Sequence, residues 1–202
     1  MSTTEESAVA PAAVPAATGI ADPAPLGLAA FALTTFLLSA KNANWTTSDA
    51  WLGYAFAYGG LIQLLAGMWE FRNRNVFGST AFCTYGGFWL GLGLWVLLVA
   101  PTSTASGHDL GWILLAFAIF NTYMLLWSTQ LNMAVFAVFL TLEVTEIVLF
   151  IANFTNSTGL GKLGGYVGVL TAVAAWYASA ALVINGMKGR AVVPVGGPLF
   201  NL

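Results

Sequence analysis

Polar residues fall along this chain in short clusters that separate six long apolar runs. The runs are Leu26–Ala40, Trp51–Phe71, Phe77–Ala100, Leu110–Trp127, Leu131–Phe154 and Leu163–Met187. Most approach or exceed the roughly 20 residues an α-helix needs to cross a bilayer. The first is shorter, and spans only if the turn Asp22-Pro23-Ala24-Pro25 already lies at membrane depth. The separators are Lys41–Asp49, Arg72–Asn75, Pro101–Asp109, Ser128–Gln130 and Asn153–Lys162. No run alternates with period two as a barrel strand does, so the pattern predicts helices. The expected fold is all-α, a polytopic membrane protein with a transmembrane domain over 22–188. A flexible tail over 1–21 and a short C-terminal tail over 189–202 flank it. The opening residues have no basic stretch ahead of an apolar one, and so do not read as a signal peptide.

Composition narrows the classes. Of 202 residues, 58% are hydrophobic and 7% charged, against roughly 25% charged in a soluble domain. That excludes a soluble enzyme and a disordered chain. A net charge of −2 offers no field for nucleic acid. The single cysteine, Cys83, excludes an intramolecular disulfide, and the single histidine, His108, excludes a bis-histidine haem or a two-histidine metal site. No cofactor or metal is expected. Arg72, Arg74, Lys188 and Arg190 share one side of the membrane while Lys41 and Lys162 share the other. The positive-inside rule then puts both termini in the cytoplasm. Trp45, Trp51, Trp69, Trp112 and Trp127 sit near segment ends, where tryptophans anchor in the interface.

Many of the 22 glycines lie inside the spans. Gly87/Gly91, Gly161/Gly165 and Gly164/Gly168 are small-xxx-small pairs, and Gly59, Gly60 and Gly67 mark the second span. Such residues let helices approach closely within a chain or between copies. Polar groups at membrane depth are costly and usually face a cavity or a partner. Glu143 and Glu146, three apart on one face of the fifth span, are candidate proton sites or helix-bridging acids. Thr34, Thr35, Gln63, Thr84, Tyr85, Asn121, Thr141 and Asn153 supply further donors and acceptors. Threonines in helices often bond their own backbone. Gln63 and Asn121 are less easily satisfied that way. No lysine or arginine lies deep in a span, so an anion would be held by hydroxyls, amides and helix N-termini.

The segment Asp22-Pro23-Ala24-Pro25-Leu26-Gly27-Leu28-Ala29-Ala30-Phe31 resembles the signature of the acetate uptake transporter family. That signature begins Asn-Pro-Ala-Pro-Leu-Gly-Leu and closes on Phe. The family takes in bacterial succinate–acetate/proton symporters of the YaaH-like kind and fungal acetate and ammonia-export relatives. The resemblance continues through Tyr58-Gly59-Gly60, Gln63, Ala66-Gly67, Glu70-Phe71, Asn75–Gly78 and Thr80–Trp89. Asp22 replaces the family asparagine; either side chain caps a helix, with Pro23 at the first helical position.

The resemblance implies six helices around a pore in each subunit, a homo-hexamer in the cell membrane, and transport of acetate and related short carboxylates, including succinate, with protons. A passive channel for small anionic or neutral solutes, including ammonia, is the alternative. It also implies a constriction of Phe31, Tyr85 and, by a looser alignment, Leu142. Thr34, Gln63, Thr84 and Asn153 become the candidate solute path, and Asp22, Pro23, Ala24, Pro25, Leu26, Gly27 and Leu28 the pore mouth. A sensor or scaffold would want a signalling domain that the short loops do not offer. A membrane enzyme would want a nucleophile with its base, and a retinal protein a lysine in mid-helix.

Overall fold

The computed structural model describes residues 19–200, so most of the expected N-terminal tail, residues 1–18, lies outside the described residues. Every regular element among the described residues is helical. The first span is α1 (Ala24–Asn42). The second is one continuous helix in three parts: α2 (Trp51–Phe56), a π-helical stretch (Ala57–Ile62) and α3 (Gln63–Arg72). The third is α4 (Val76–Leu94) with a π-helical extension, Trp95–Val99. The fourth to sixth are α5 (Gly107–Ser128), α6 (Met133–Thr155) and α7 (Thr158–Lys188). Five of these are each long and apolar enough to cross a membrane. The second span completes six.

Capping side chains set the boundaries, and they shift several of the expected ends. Helix α1 gains two residues at each end, the first two because it begins inside the Asp-Pro-Ala-Pro segment. Its cap residue is Pro23 rather than Asp22, but the Asp22 carboxylate accepts from the Ala24 N–H at 3.0 Å and so satisfies an otherwise orphaned donor. The 19 residues of α1 span about 28 Å at 1.5 Å per residue, which removes the difficulty of a short first span. Helix α5 starts three residues before Leu110, where Ser106 and Asp109 form a reciprocal capping box. Asn156 ends α6 in the left-handed region and Ser157 caps α7, so the fifth loop shrinks to a tight turn.

The helices close into a ring. Helix α1 packs on α7, α7 on α6 and α6 on α5, while α3 and its π-helical stretch pack on α4 and α1. Between α4 and α5 the backbones stand farther apart, and aromatic rings fill the seam, with Phe88 and Phe117 at 4.7 Å and Tyr85 and Phe120 at 5.5 Å. Glycine decides the closest approaches. A Cβ on Gly165 would collide with the Asn42–Ala43 backbone, one on Gly168 with Ser39, and one on Gly59 with Thr34. Gly164 meets Leu149 and Gly67 meets Cys83, whereas Gly87, Gly91 and Gly161 meet nothing among the described residues.

The polarity is that of a membrane protein. The outside carries large apolar side chains such as Val76, Leu126, Ile119 and Leu98, while Gln63, Glu70 and Asn121 are among the most deeply buried side chains. Trp45, Trp69, Trp112 and Trp127 are exposed near helix ends, as interfacial anchors should be. Trp51 departs from that expectation. It is buried, and its indole N–H donates to Asp49 at 3.1 Å.

The segment after α7 is packed down. Asn185 Oδ1 accepts from the Val192 and Val193 N–H groups, and its amide donates to the Val193 carbonyl. The Ala134 N–H, in the first turn of α6, donates to the Val195 carbonyl at 3.0 Å, and the Leu199 N–H donates to Thr129. Residues 191–200 are a strap across one end of the bundle.

Candidate functional site: a funnel ending on an aromatic ring

One cavity of about 380 Å³ runs into the bundle from the end where α1 and α6 finish and α7 begins. Asn42, Asn153, Asn156 and Ser157 line its mouth, and Phe31, Tyr85 and Leu142 lie at its deepest point. These three residues come from α1, α4 and α6. They are each at least nine-tenths buried and share one hydrophobic cluster. The Phe31 and Tyr85 rings meet edge to face at 5.7 Å, a preferred aromatic geometry. Beyond them Leu28, Phe82, Val138 and Phe139 fill the same cluster. The structure is thus a funnel closed at its narrow end, and an apolar closure of this kind admits a solute only as it sheds water.

Tyr85 is fixed by a polar network. Its hydroxyl donates to Asn121 Oδ1 at 2.9 Å and stands 3.3 Å from Glu146 Oε1. Asn121 Nδ2 donates to the Phe139 carbonyl at 3.0 Å and to Glu143 Oε2 at 2.7 Å. Thr122 donates to Glu143 Oε1 at 2.8 Å.

The two acids of α6 therefore separate. Glu143 ties α6 to α5 and does not line the cavity, whereas Glu146 lines it and keeps Oε2 buried without a partner among the described residues. The physical reason is helical rotation. Three residues put two side chains on one face but about 60° apart, which suffices to turn one towards α5 and the other towards the funnel.

The other candidates divide likewise. Asn153 lines the cavity mouth and donates to the Leu149 carbonyl. Thr34 is fully buried but lies off the cavity, its hydroxyl 3.0 Å from the Ala30 carbonyl and 3.4 Å from that of Tyr54. Its neighbour Thr35 lines the cavity, with a buried hydroxyl that has no partner among the described residues. Thr84 is half-buried and off the cavity. Gln63, at the end of the π-helical stretch, is buried, with both amide atoms unpartnered among the described residues, and is also off the cavity. The segment Asp22–Leu28 stands at the opposite end of α1 from the funnel mouth. There Ser179 donates to the Pro25 carbonyl at 2.7 Å, and Gly27 lies against the Phe82 ring. Sequence reasoning missed Trp89, whose buried indole nitrogen has no partner among the described residues and which also lines the cavity. Its position four residues after Tyr85 is the signal that could have found it.

Residues 6–196 match the model of the GPR1/FUN34/yaaH family. "Ammonia transport outward protein 2" of Saccharomyces cerevisiae is 44% identical over 167 residues, covering 78% of this chain and 59% of that protein. "Succinate-acetate/proton symporter SatP" of Escherichia coli is 33% identical over 182 residues, covering 89% and 97%. A solved structure titled "Structure of the bacterial acetate channel SatP" superposes with a TM-score of 0.84 at 33% identity, covering 88% of this chain and 99% of that one. The chain thus spans nearly all of the bacterial relative but only about six-tenths of the yeast one.

Proposed function

The chain belongs to the GPR1/FUN34/yaaH family, and from that premise we propose that it is a membrane transport protein, not an enzyme, that carries acetate and related short carboxylates with protons. The observation that carries this reading is the funnel itself. A cavity of about 380 Å³ suits a small solute, and it narrows onto Phe31, Tyr85 and Leu142. Likeness to a protein titled an acetate channel, matched over almost its whole length, supports the same substrate class. The absence of lysine and arginine from the cavity lining favours weak binding and passage over tight capture.

In this reading Phe31, Tyr85 and Leu142 form the gate, with Thr35 and Asn153 on the solute path in the funnel. Gln63 and Thr84 remain candidates for a polar route on the far side of the gate, with Asp22–Leu28 at that mouth. The assembly is a homo-hexamer in the cell membrane with both termini in the cytoplasm. Lys41, paired with Asp49, adds little free positive charge to the funnel side, in keeping with that orientation.

Labelled-acetate flux into proteoliposomes, with protein-free vesicles subtracting diffusion of the acid, tests the proposal. Protein-dependent uptake driven above equilibrium by an inward proton gradient is expected. Uptake that only equilibrates replaces the symporter with a channel. Equal rates with and without protein remove acetate as the substrate.

A further inference from the structure

One helical turn from each member of the apolar ring, towards the funnel mouth, stands a residue with a buried polar atom that has no partner among the described residues. Phe31 is followed four positions on by Thr35, Tyr85 by Trp89, and Leu142 by Glu146. The atoms are Thr35 Oγ1, Trp89 Nε1 and Glu146 Oε2, and all three residues line the funnel. Their residues are 6%, 3% and 4% exposed. Helices α1, α4 and α6 run in the same direction, so the i to i+4 step stacks a polar ring on the apolar one. Buried polar groups are rarely left unpaired. Three at one level of one cavity mark a place where a polar solute binds.

Hydrogen-bond bookkeeping leaves Glu146 without a committed donor, an environment that suits a neutral carboxyl with its O–H on the funnel-facing oxygen. Asn121 Nδ2 donates to two acceptors, the Phe139 carbonyl and Glu143 Oε2, so Asn121 Oδ1 is the atom that faces Tyr85. A tyrosine hydroxyl has one proton, and at 2.9 Å it is committed to Asn121. The Tyr85 hydroxyl then reaches Glu146 Oε1 only as a second, longer contact at 3.3 Å, and Oε2, on the funnel side, has no partner among the described residues. The groups facing Glu146 favour the neutral form. Tyr85 faces it from α4, Glu143 stands one turn away on α6 in the hands of Asn121 and Thr122 of α5, and from α1 comes the uncharged Thr35. On α7 the neighbouring hydroxyl of Thr171 pairs with Thr145. No cationic side chain among the described residues lines the funnel.

We propose that Glu146 is a proton donor to the incoming carboxylate, which Thr35 and Trp89 hold just above the apolar ring, so that the solute enters the ring as the undissociated acid. This rests on the carboxylate reading above and names how that site handles charge. The Thr35 O–H and Trp89 N–H donate to one solute oxygen. The Glu146 O–H bond breaks as a new O–H bond forms on the other. The negative charge passes from solute to Glu146, a neutral acid meets Phe31 and Leu142, and a proton from the aqueous mouth restores Glu146. Moving a neutral acid through an apolar ring avoids the large cost of an unpaired ion there.

The test compares acetate with trifluoroacetate, an anion of similar shape that does not accept a proton at working pH, using wild-type protein in vesicles. It is joined by the infrared difference spectrum between wild type and Glu146→Gln. Acetate flux exceeding trifluoroacetate flux by about ten-fold or more, the worth of one hydrogen bond to a charged group, is expected. So is a protonated-carboxyl carbonyl band that Glu146→Gln lacks and that acetate diminishes. Trifluoroacetate flux equal to that of acetate overturns the proposal, and so does the absence of that band from the wild type. A band that acetate diminishes, in protein that shows no acetate flux, leaves Glu146 as a proton donor to bound carboxylate and sinks the transport reading alone.

Discussion

Asn121 uses its whole side chain, accepting from Tyr85 and donating to the Phe139 carbonyl and to Glu143. Asn121→Ala removes three hydrogen bonds, each worth about 0.5–1.5 kcal/mol net, and takes from the buried Tyr85 hydroxyl its closest partner. We expect a loss of about 3 kcal/mol or more, read as a fall in the thermal midpoint in detergent. The threonine pair on α1 gives the sharper functional contrast. Thr34 has its hydroxyl on backbone carbonyls of α1 and α2, whereas Thr35 offers its hydroxyl to the funnel. Thr35→Val should lower acetate flux several-fold, and Thr34→Val, which removes one long contact between helices, should leave it near wild type. Equal effects would show that neither hydroxyl touches the solute. The sequence marks Phe31, Tyr85 and Leu142 through the family pattern and flags the acids and amides by their depth. It does not distinguish Thr34 from Thr35, or Glu143 from Glu146. A helix that is apolar on every side has no polar stripe to reveal its orientation, so the facing of each residue is settled only when neighbours pack against it.

At the level of elements, six apolar runs became six helices because length and hydropathy alone define a span. The ends moved where caps intervened, at Pro23, Ser106 and Asn156. The π-helical stretches at Ala57–Ile62 and Trp95–Val99 left no pattern in the sequence beyond Gly59-Gly60, since one extra residue in a turn does not disturb a run of apolar side chains. The glycines separate by what they touch. Gly165 meets the Asn42–Ala43 backbone, which cannot move aside as a side chain can. Gly165→Ala should cost about 1–3 kcal/mol through overpacking and loosen α1 from α7. Gly87→Ala and Gly91→Ala meet no atom among the described residues. They should stabilise the isolated subunit slightly, by up to about 1 kcal/mol each from helix propensity. Thermal denaturation of the three variants checks the contrast. Mass measurement of the solubilised Gly87 and Gly91 variants then reports whether copies pack on that face, because a subunit contact built on those glycines would be lost.

Across the whole molecule the two ends do different work. The funnel end is polar, open and lined by the termini of α1, α6 and α7. The other end carries Asp22–Leu28 and the strap of residues 191–200. The strap gives the Ala134 N–H its acceptor, gives Thr129 a donor, and sets Val195 against the cluster that holds the apolar ring. It is anchored through Asn185, with three hydrogen bonds, and through the Tyr177 hydroxyl on the Pro194 carbonyl. Composition suggested only a short tail there, since Val-Val-Pro-Val-Gly-Gly-Pro has no helical period and its backbone partners lie on elements distant in sequence. Removing residues 190–202 should unfasten the start of α6 and the turn after α5. Amide exchange at Ala134 and its neighbours should then speed up, with a loss of about 2–4 kcal/mol in stability from several hydrogen bonds and the half-buried Val195. Exchange at the funnel residues Thr145–Asn153, at the far end of α6, should stay as slow as in the intact chain. Faster exchange along the whole of α6 would mean that the strap holds the apolar ring shut rather than merely closing one end of the bundle.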